Sequence, residues 1–181
     1  YSVAFDKTHS KMAIAVADST GSAIYVGKPD GSEMKKVSTS QYATHPVFSP
    51  SGKLAWIGGG KTKGGQRVYV DDKAVSPAGF TAGAPAFCDT EDGIRLVYSV
   101  SVGGNRHDLV MSAEKGGGVQ RLTQNQGSNS SPACSPDGRL LAFFSTRKKP
   151  GTYFMSLKRW RTQQLNGQVG ESLRWEALPP P

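Results

Sequence analysis

One short phrase recurs along this chain. Val47-Phe48-Ser49-Pro50-Ser51-Gly52-Lys53-Leu54 and Ala133-Cys134-Ser135-Pro136-Asp137-Gly138-Arg139-Leu140 both read apolar, Ser-Pro-(Asp/Ser)-Gly, basic, Leu. Two looser copies accompany them. Val3-Ala4-Phe5-Asp6 leads into Lys11-Met12-Ala13-Ile14, and Pro85-Ala86-Phe87-Cys88 leads into Asp92-Gly93-Ile94-Arg95-Leu96-Val97. The anchor positions are Phe5, Phe48, Phe87 and Cys134, with Trp175 as a fifth, at spacings of 43, 39, 47 and 41 residues. A unit that repeats at a fixed period cannot bury its apolar face alone, so it must stack on its copies.

The period lies in the ~40–45-residue range of a four-stranded propeller blade. Inside each repeat an apolar strand follows the turn, at Met12–Val16, Leu54–Ile57, Leu96–Val100 and Leu140–Phe144. A Gly-bearing connection leads to a second strand of β-branched and aromatic residues, at 23–26, 67–70, 108–111 and 153–156. A weaker strand closes each repeat, at 35–38, 74–76, 119–123 and 162–165. Pro-Asp-Gly-Ser at 29–32 and Ser-Pro-Asp-Gly at 135–138 supply tight-turn chemistry. Nothing sustains a 3.6-residue period; even Thr8–Ala17 alternates like a strand. The expectation is all-β: four four-stranded blades plus one extra strand. The repeats fall at about 1–40, 41–79, 80–124 and 125–167, and 168–181 holds a closing strand and a proline tail.

Apolar residues make up 36% of the chain and come in short pieces. The longest run, Met12–Ala17, is far below the ~20 residues that a membrane-crossing helix needs. Net charge is +8, which favours anionic partners. The basic runs Arg147-Lys148-Lys149 and Lys158-Arg159-Trp160-Arg161 read as solvated strand faces, and nucleic acid is not an expected partner. Two cysteines are too few for a disulfide-built mini-scaffold. Cys88 and Cys134 sit at nearly equivalent places in adjacent repeats, and either a disulfide or two separate buried thiols fits that placement.

Chemical motifs are sparse. His9, His45 and His107 fall in different repeats with no zinc-ligand spacing. No Gly-x-Ser-x-Gly elbow occurs. Gly58-Gly59-Gly60-Lys61-Thr62 lacks the first glycine of a phosphate loop and no helix follows it, so it reads as a hairpin. Asp30 and Asp137 read as turn formers rather than calcium ligands. No cofactor or metal is expected, and no catalytic residue.

The turns at 49–52 and 135–138, with Ile24-Tyr25-Val26, Arg121-Leu122-Thr123 and Gln164-Leu165, resemble the repeats of TolB-type β-propellers. The resemblance implies a non-enzymatic, periplasmic protein-binding propeller of the bacterial envelope. It implies a place in the Tol-Pal system, binding of the peptidoglycan-associated lipoprotein or another envelope protein, association with peptidoglycan, and roles in envelope integrity and protein import. Such propellers typically have six blades, so the chain reads as the C-terminal portion of a longer propeller, with a small self-contained ring or one closed by dimerisation as alternatives. Binding is expected in the loops before each first strand, 41–45, 79–84, 127–131 and 167–172, with His45, Asn129, Ser130 and Glu171 as the partner-binding residues. An oxidised Cys88–Cys134 pair would suit an envelope location. The same repeat builds the propellers of prolyl-oligopeptidase-like and tricorn-like peptidases and of oligogalacturonate-lyase-like enzymes, which is the alternative function.

Overall fold

A computed structural model describes residues 2–59, 65–168, 170, 173 and 175. All regular structure among them is β. The first sheet holds β1 (Val3–Phe5), β2 (Met12–Ala17), β3 (Ser22–Gly27) and β4 (Lys35–Lys36). The second holds β5 (Tyr42–Phe48), β6 (Leu54–Gly59), β7 (Arg67–Val70) and β8 (Lys73–Ala74). The third holds β9 (Ala86–Thr90), β10 (Gly93–Ser101), β11 (His107–Ala113) and β12 (Gln120–Arg121). The fourth holds β13 (Asn129–Cys134), β14 (Leu140–Ser145), β15 (Gly151–Ser156) and β16 (Thr162–Asn166). Each sheet is an antiparallel meander of four strands in chain order. The first strands are neighbours from sheet to sheet, β1 beside β5, β5 beside β9 and β9 beside β13. These are propeller blades.

Each blade is buried on both faces where it meets another, so its central strands read as near-continuous apolar runs. All six residues of β6 are buried. Three joints between four blades give three apolar clusters. Trp56 packs with Ala13, Ala15, Ile24 and Ala43 at the first joint; Tyr98 packs with Ala55, Val68 and Ala82 at the second. At the third, Phe143 packs with Cys88, Val97 and Leu109. Every joint sets a large ring from the later blade against smaller apolar residues, most of them from the earlier one. Each such burial contributes about 1.5–3 kcal/mol.

The outer strands β4, β8 and β12 have only two residues each. Side chains continue their work. Ser38 Oγ accepts from Ile24 N at 2.9 Å, Ser76 Oγ from Val68 N at 3.0 Å, and Thr123 Oγ1 from Leu109 N at 2.9 Å. A buried N–H left unpaired would cost about 1–3 kcal/mol, so these hydroxyls are structural.

The Ser-Pro-x-Gly turns close the same way. Ser49 Oγ accepts from Lys53 N and Ser135 Oγ from Leu140 N, both at 3.0 Å. The first repeat lacks that serine, and Asp6 takes its part, its Oδ1 accepting from Lys11 N at 2.7 Å. The third repeat closes differently. β9 and β10 stay paired out to Thr90 and Gly93, so its two extra residues lengthen a hairpin. Cys88, at the serine position, is thereby freed for the core and forms a disulfide with Cys134 of the next blade, with Cα atoms 5.3 Å apart. Beside that bond Gly138 (φ 67°) packs so closely that a Cβ would lie 1.7 Å from the Asp89 carbonyl oxygen. Only glycine fits there.

Trp175 packs on the fourth blade. Its ring stacks on Phe154 of β15 at 5.7 Å, and its Nε1 donates to the Ala133 carbonyl at 2.9 Å. No helix is long and apolar enough to cross a membrane among the described residues.

Candidate functional site

In a meander, the connections alternate between the two ends of the sheet. The 1–2 and 3–4 turns of every blade lie at one end. The 2–3 connections and the links between blades lie at the other. Of the binding residues expected from sequence, His45, Asn129 and Ser130 belong to the second end.

His45 and Ser131 occupy matching places there. Each precedes a proline, each lies in a β-bulge, and each adopts a left-handed backbone, with φ of 55° and 52°. A residue before proline ordinarily stays extended, and positive φ is strained for any residue but glycine, so the sequence gives no warning of either bulge. The bulges re-aim the first strands at this end. His45 N donates to Ser2 Oγ of the preceding blade at 3.1 Å, and its Nδ1 lies 3.0 Å from Thr44 Oγ1. Desolvation holds its imidazole below the ordinary histidine pKa, favouring the neutral ring. A recess of about 300 Å³ opens beside it, between Ser2, Ala15, Ser22 and Thr44.

Asn129 and Ser130 begin β13 instead of lying in a loop, and Asn129 is wholly buried. The register with β14 extends to Asn129 opposite Ser145, which draws the asparagine inward. Its Nδ2 donates to the His107 carbonyl at 3.3 Å, and its Oδ1 accepts from Ser145 Oγ at 2.9 Å. The same Oδ1 accepts from Arg147 Nη2 at 3.1 Å, while Arg147 Nε donates to Ser145 Oγ at 2.8 Å. Asn129 thus organises Arg147, which sequence reading assigned to a solvated run. The Arg147 guanidinium stands 4.2 Å over the Tyr153 ring and 5.3 Å over Phe143. Partial desolvation lowers its pKa somewhat, which leaves so strong a base protonated. Ser130 is half-buried, opposite Phe144 in the ladder. Glu171 lies outside the described residues.

The opposite end carries a groove of about 940 Å³ between the third and fourth blades, lined by Arg95, Arg139, Lys158 and Trp160 among others. Its charges are largely answered in place. Lys158 pairs with Glu91 at 3.3 Å and Arg139 with Asp137 at 3.9 Å. The turn aspartates bond locally. Asp30 Oδ1 accepts from Ser32 N at 2.9 Å, and Asp137 Oδ1 accepts from Ser135 Oγ at 2.6 Å. Among the described residues no three His, Cys, Asp or Glu side chains gather closely enough to hold a metal ion.

The fold defines a class, the bladed all-β propellers. No protein-family model matches the chain. Among solved structures, TolB from Acinetobacter baumannii superposes with a TM-score of 0.70 at 18% identity, over 90% of this chain and 42% of that one. A protein assigned as TolB from Agrobacterium tumefaciens gives 0.67 at 18% identity, over 91% and 61%. A puromycin-hydrolysing peptidase from Mycobacterium tuberculosis gives 0.70 at 14% identity, over 91% and 28%. The chain therefore has a TolB-like propeller fold and spans 42% and 61% of the lengths of the two TolB structures it matches. At these identities the likeness is one of fold.

Proposed function

We propose that the chain is a non-enzymatic, protein-binding propeller of the bacterial cell envelope. It is TolB-like, periplasmic, and works with the Tol-Pal system by binding the peptidoglycan-associated lipoprotein. The observation that carries this reading is the pair of strained bulges at His45 and Ser131, which turn two first strands toward the same rim. Strain of this kind, worth about 1–3 kcal/mol per residue, tends to persist where a surface is shaped for a ligand. The TolB-like fold and a disulfide suited to an oxidising compartment support it. His45, Ser130 and Glu171 are the proposed contact residues, with Asn129 holding the rim in shape.

Cross-linking from His45→Cys on the purified chain, in a membrane-associated extract, tests the reading. Recovery of a lipoprotein with a peptidoglycan-binding domain supports it. Turnover of peptides or oligogalacturonate by the purified protein overturns it. A second reading, the propeller of a peptidase, draws on the fold shared with the mycobacterial enzyme. It predicts peptide hydrolysis only when a separate catalytic domain is joined to the chain.

A further inference from the structure

Resting on that protein-binding reading, we propose that the rim of the third and fourth blades recognises carboxylate groups of its partner, and that Arg147 seats one of them.

The first support is how charge divides between the two ends of the blades. The end with the 1–2 and 3–4 turns mixes both signs, with Asp6, Asp30, Asp71, Glu91, Glu114 and Asp137 among its acids. At the other end, among the described residues, Asp18 is the only carboxylate in the connections. Its Oδ1 is taken by Thr20 and by the Gly21 N–H. The connections of the third and fourth blades at this end carry Arg106, Arg147, Lys148 and Lys149. Asp108, just inside β11, is buried and paired with Arg121. The cations of the rim thus have no acid among the described residues to answer them.

The second support is the way Arg147 is held. Two of its nitrogens donate to neutral oxygens, Ser145 Oγ and Asn129 Oδ1. Its plane lies over Tyr153 and Phe143, and Asn129 is itself fixed through the His107 carbonyl. No carboxylate lies within ion-pair distance of Arg147 among the described residues. A half-buried guanidinium with its orientation set, and with no carboxylate paired to it among the described residues, is preorganised for a planar, two-oxygen acceptor. Little side-chain freedom remains to be lost when such a group arrives.

The same packing argues against a nucleic acid. Single strands bind by stacking bases on open aromatic faces. Here Phe143 and Tyr153 are buried, with the guanidinium lying over them.

The test uses an array of short synthetic peptides in matched pairs, differing only in Glu or Gln at the same positions, with an oligothymidylate as control. Fluorescence anisotropy on the best pairs reads the discrimination. Glu peptides are expected to bind about tenfold tighter than their Gln partners at low salt, the gap narrowing as salt screens it. Arg147→Gln should remove most of the gap, and Arg147→Lys should restore only part, because a lysine lacks the fork. Arg147 also covers two rings, so Lys148→Gln/Lys149→Gln serves as the companion variant; both are exposed, and a loss of about threefold is expected. Equal binding of Glu and Gln peptides at this rim overturns the carboxylate inference while leaving the protein-binding reading intact. Absence of peptide binding, discrimination unaffected by either variant, or tighter binding of the oligothymidylate also overturns it. Glu discrimination through Arg147 without recovery of any envelope protein would keep the inference and sink the reading beneath it.

Discussion

The outer faces of the first and last blades come from the same repeat and meet different surroundings. On the last blade Ala142 and Phe144 are only 5% and 6% exposed, because Gly170 lies against the Phe144 ring and Trp175 against Phe154. On the first blade Val3, Phe5 and Val16 are 41%, 47% and 39% exposed. Phe5 is the anchor equivalent to Phe48, which is packed into the joint between the first two blades. Each blade is therefore written as two half-interfaces. An apolar anchor has little energetic value until the facing half is present, so the worth of a repeat residue depends on which joint it occupies.

Substitutions can break this contrast in graded fashion. Trp56→Ala empties the first joint and should cost about 4 kcal/mol in urea unfolding, the usual range for a large buried ring. A loss below about 1 kcal/mol would mean that the joint does not organise stability. Reduction of the Cys88–Cys134 bond, which spans 46 residues, should cost about 3 kcal/mol. Unfolding with and without reductant measures it. Trp175→Ala removes one stacked ring and one hydrogen bond, and about 1–2 kcal/mol is expected in urea unfolding, with the Phe154 ring becoming more exposed. Phe5→Ser should change stability by no more than about 0.5 kcal/mol while reducing self-association in sedimentation. A large destabilisation there would show that the outer face of the first blade is covered in solution.

The smallest effect concerns acid. Asp6 is held down to about 2 by the Thr8 hydroxyl first and the Lys11 N–H next, from an ordinary 3.8. A depressed folded-state pKa adds stability above the unfolded pKa that is lost as pH falls through the folded one. The first-blade turn should thus loosen between about pH 4 and 2, and Asp6→Asn should flatten that dependence in amide exchange. The group is exposed, so the change is local.

The fold was legible because its determinants are local. The turn phrase and the alternation around it identify every blade, and even Trp175 declares itself by spacing. The proposed binding rim was legible only in part. Periodicity marks where a strand begins to within a few residues, and that margin decides whether Asn129 is a rim residue or a buried brace. Arg147 lies in a basic run that reads as solvent-facing, since no local pattern reports that two rings and an asparagine from another strand will surround it. The strained backbones of His45 and Ser131 run against the preference of residues before proline. Long-range packing, invisible to a window of neighbours, sets all three.

The covalent tie between β9 and β13 has a mechanical consequence. Two adjoining leaves stitched at their first strands cannot part there, so thermal breathing of the arc must fall at the two unstitched seams. Arg147 and its brace ride on the stiff pair, whereas the recess beside His45 spans a seam free to gape. A visitor would find one half of the rim rigid and the other compliant.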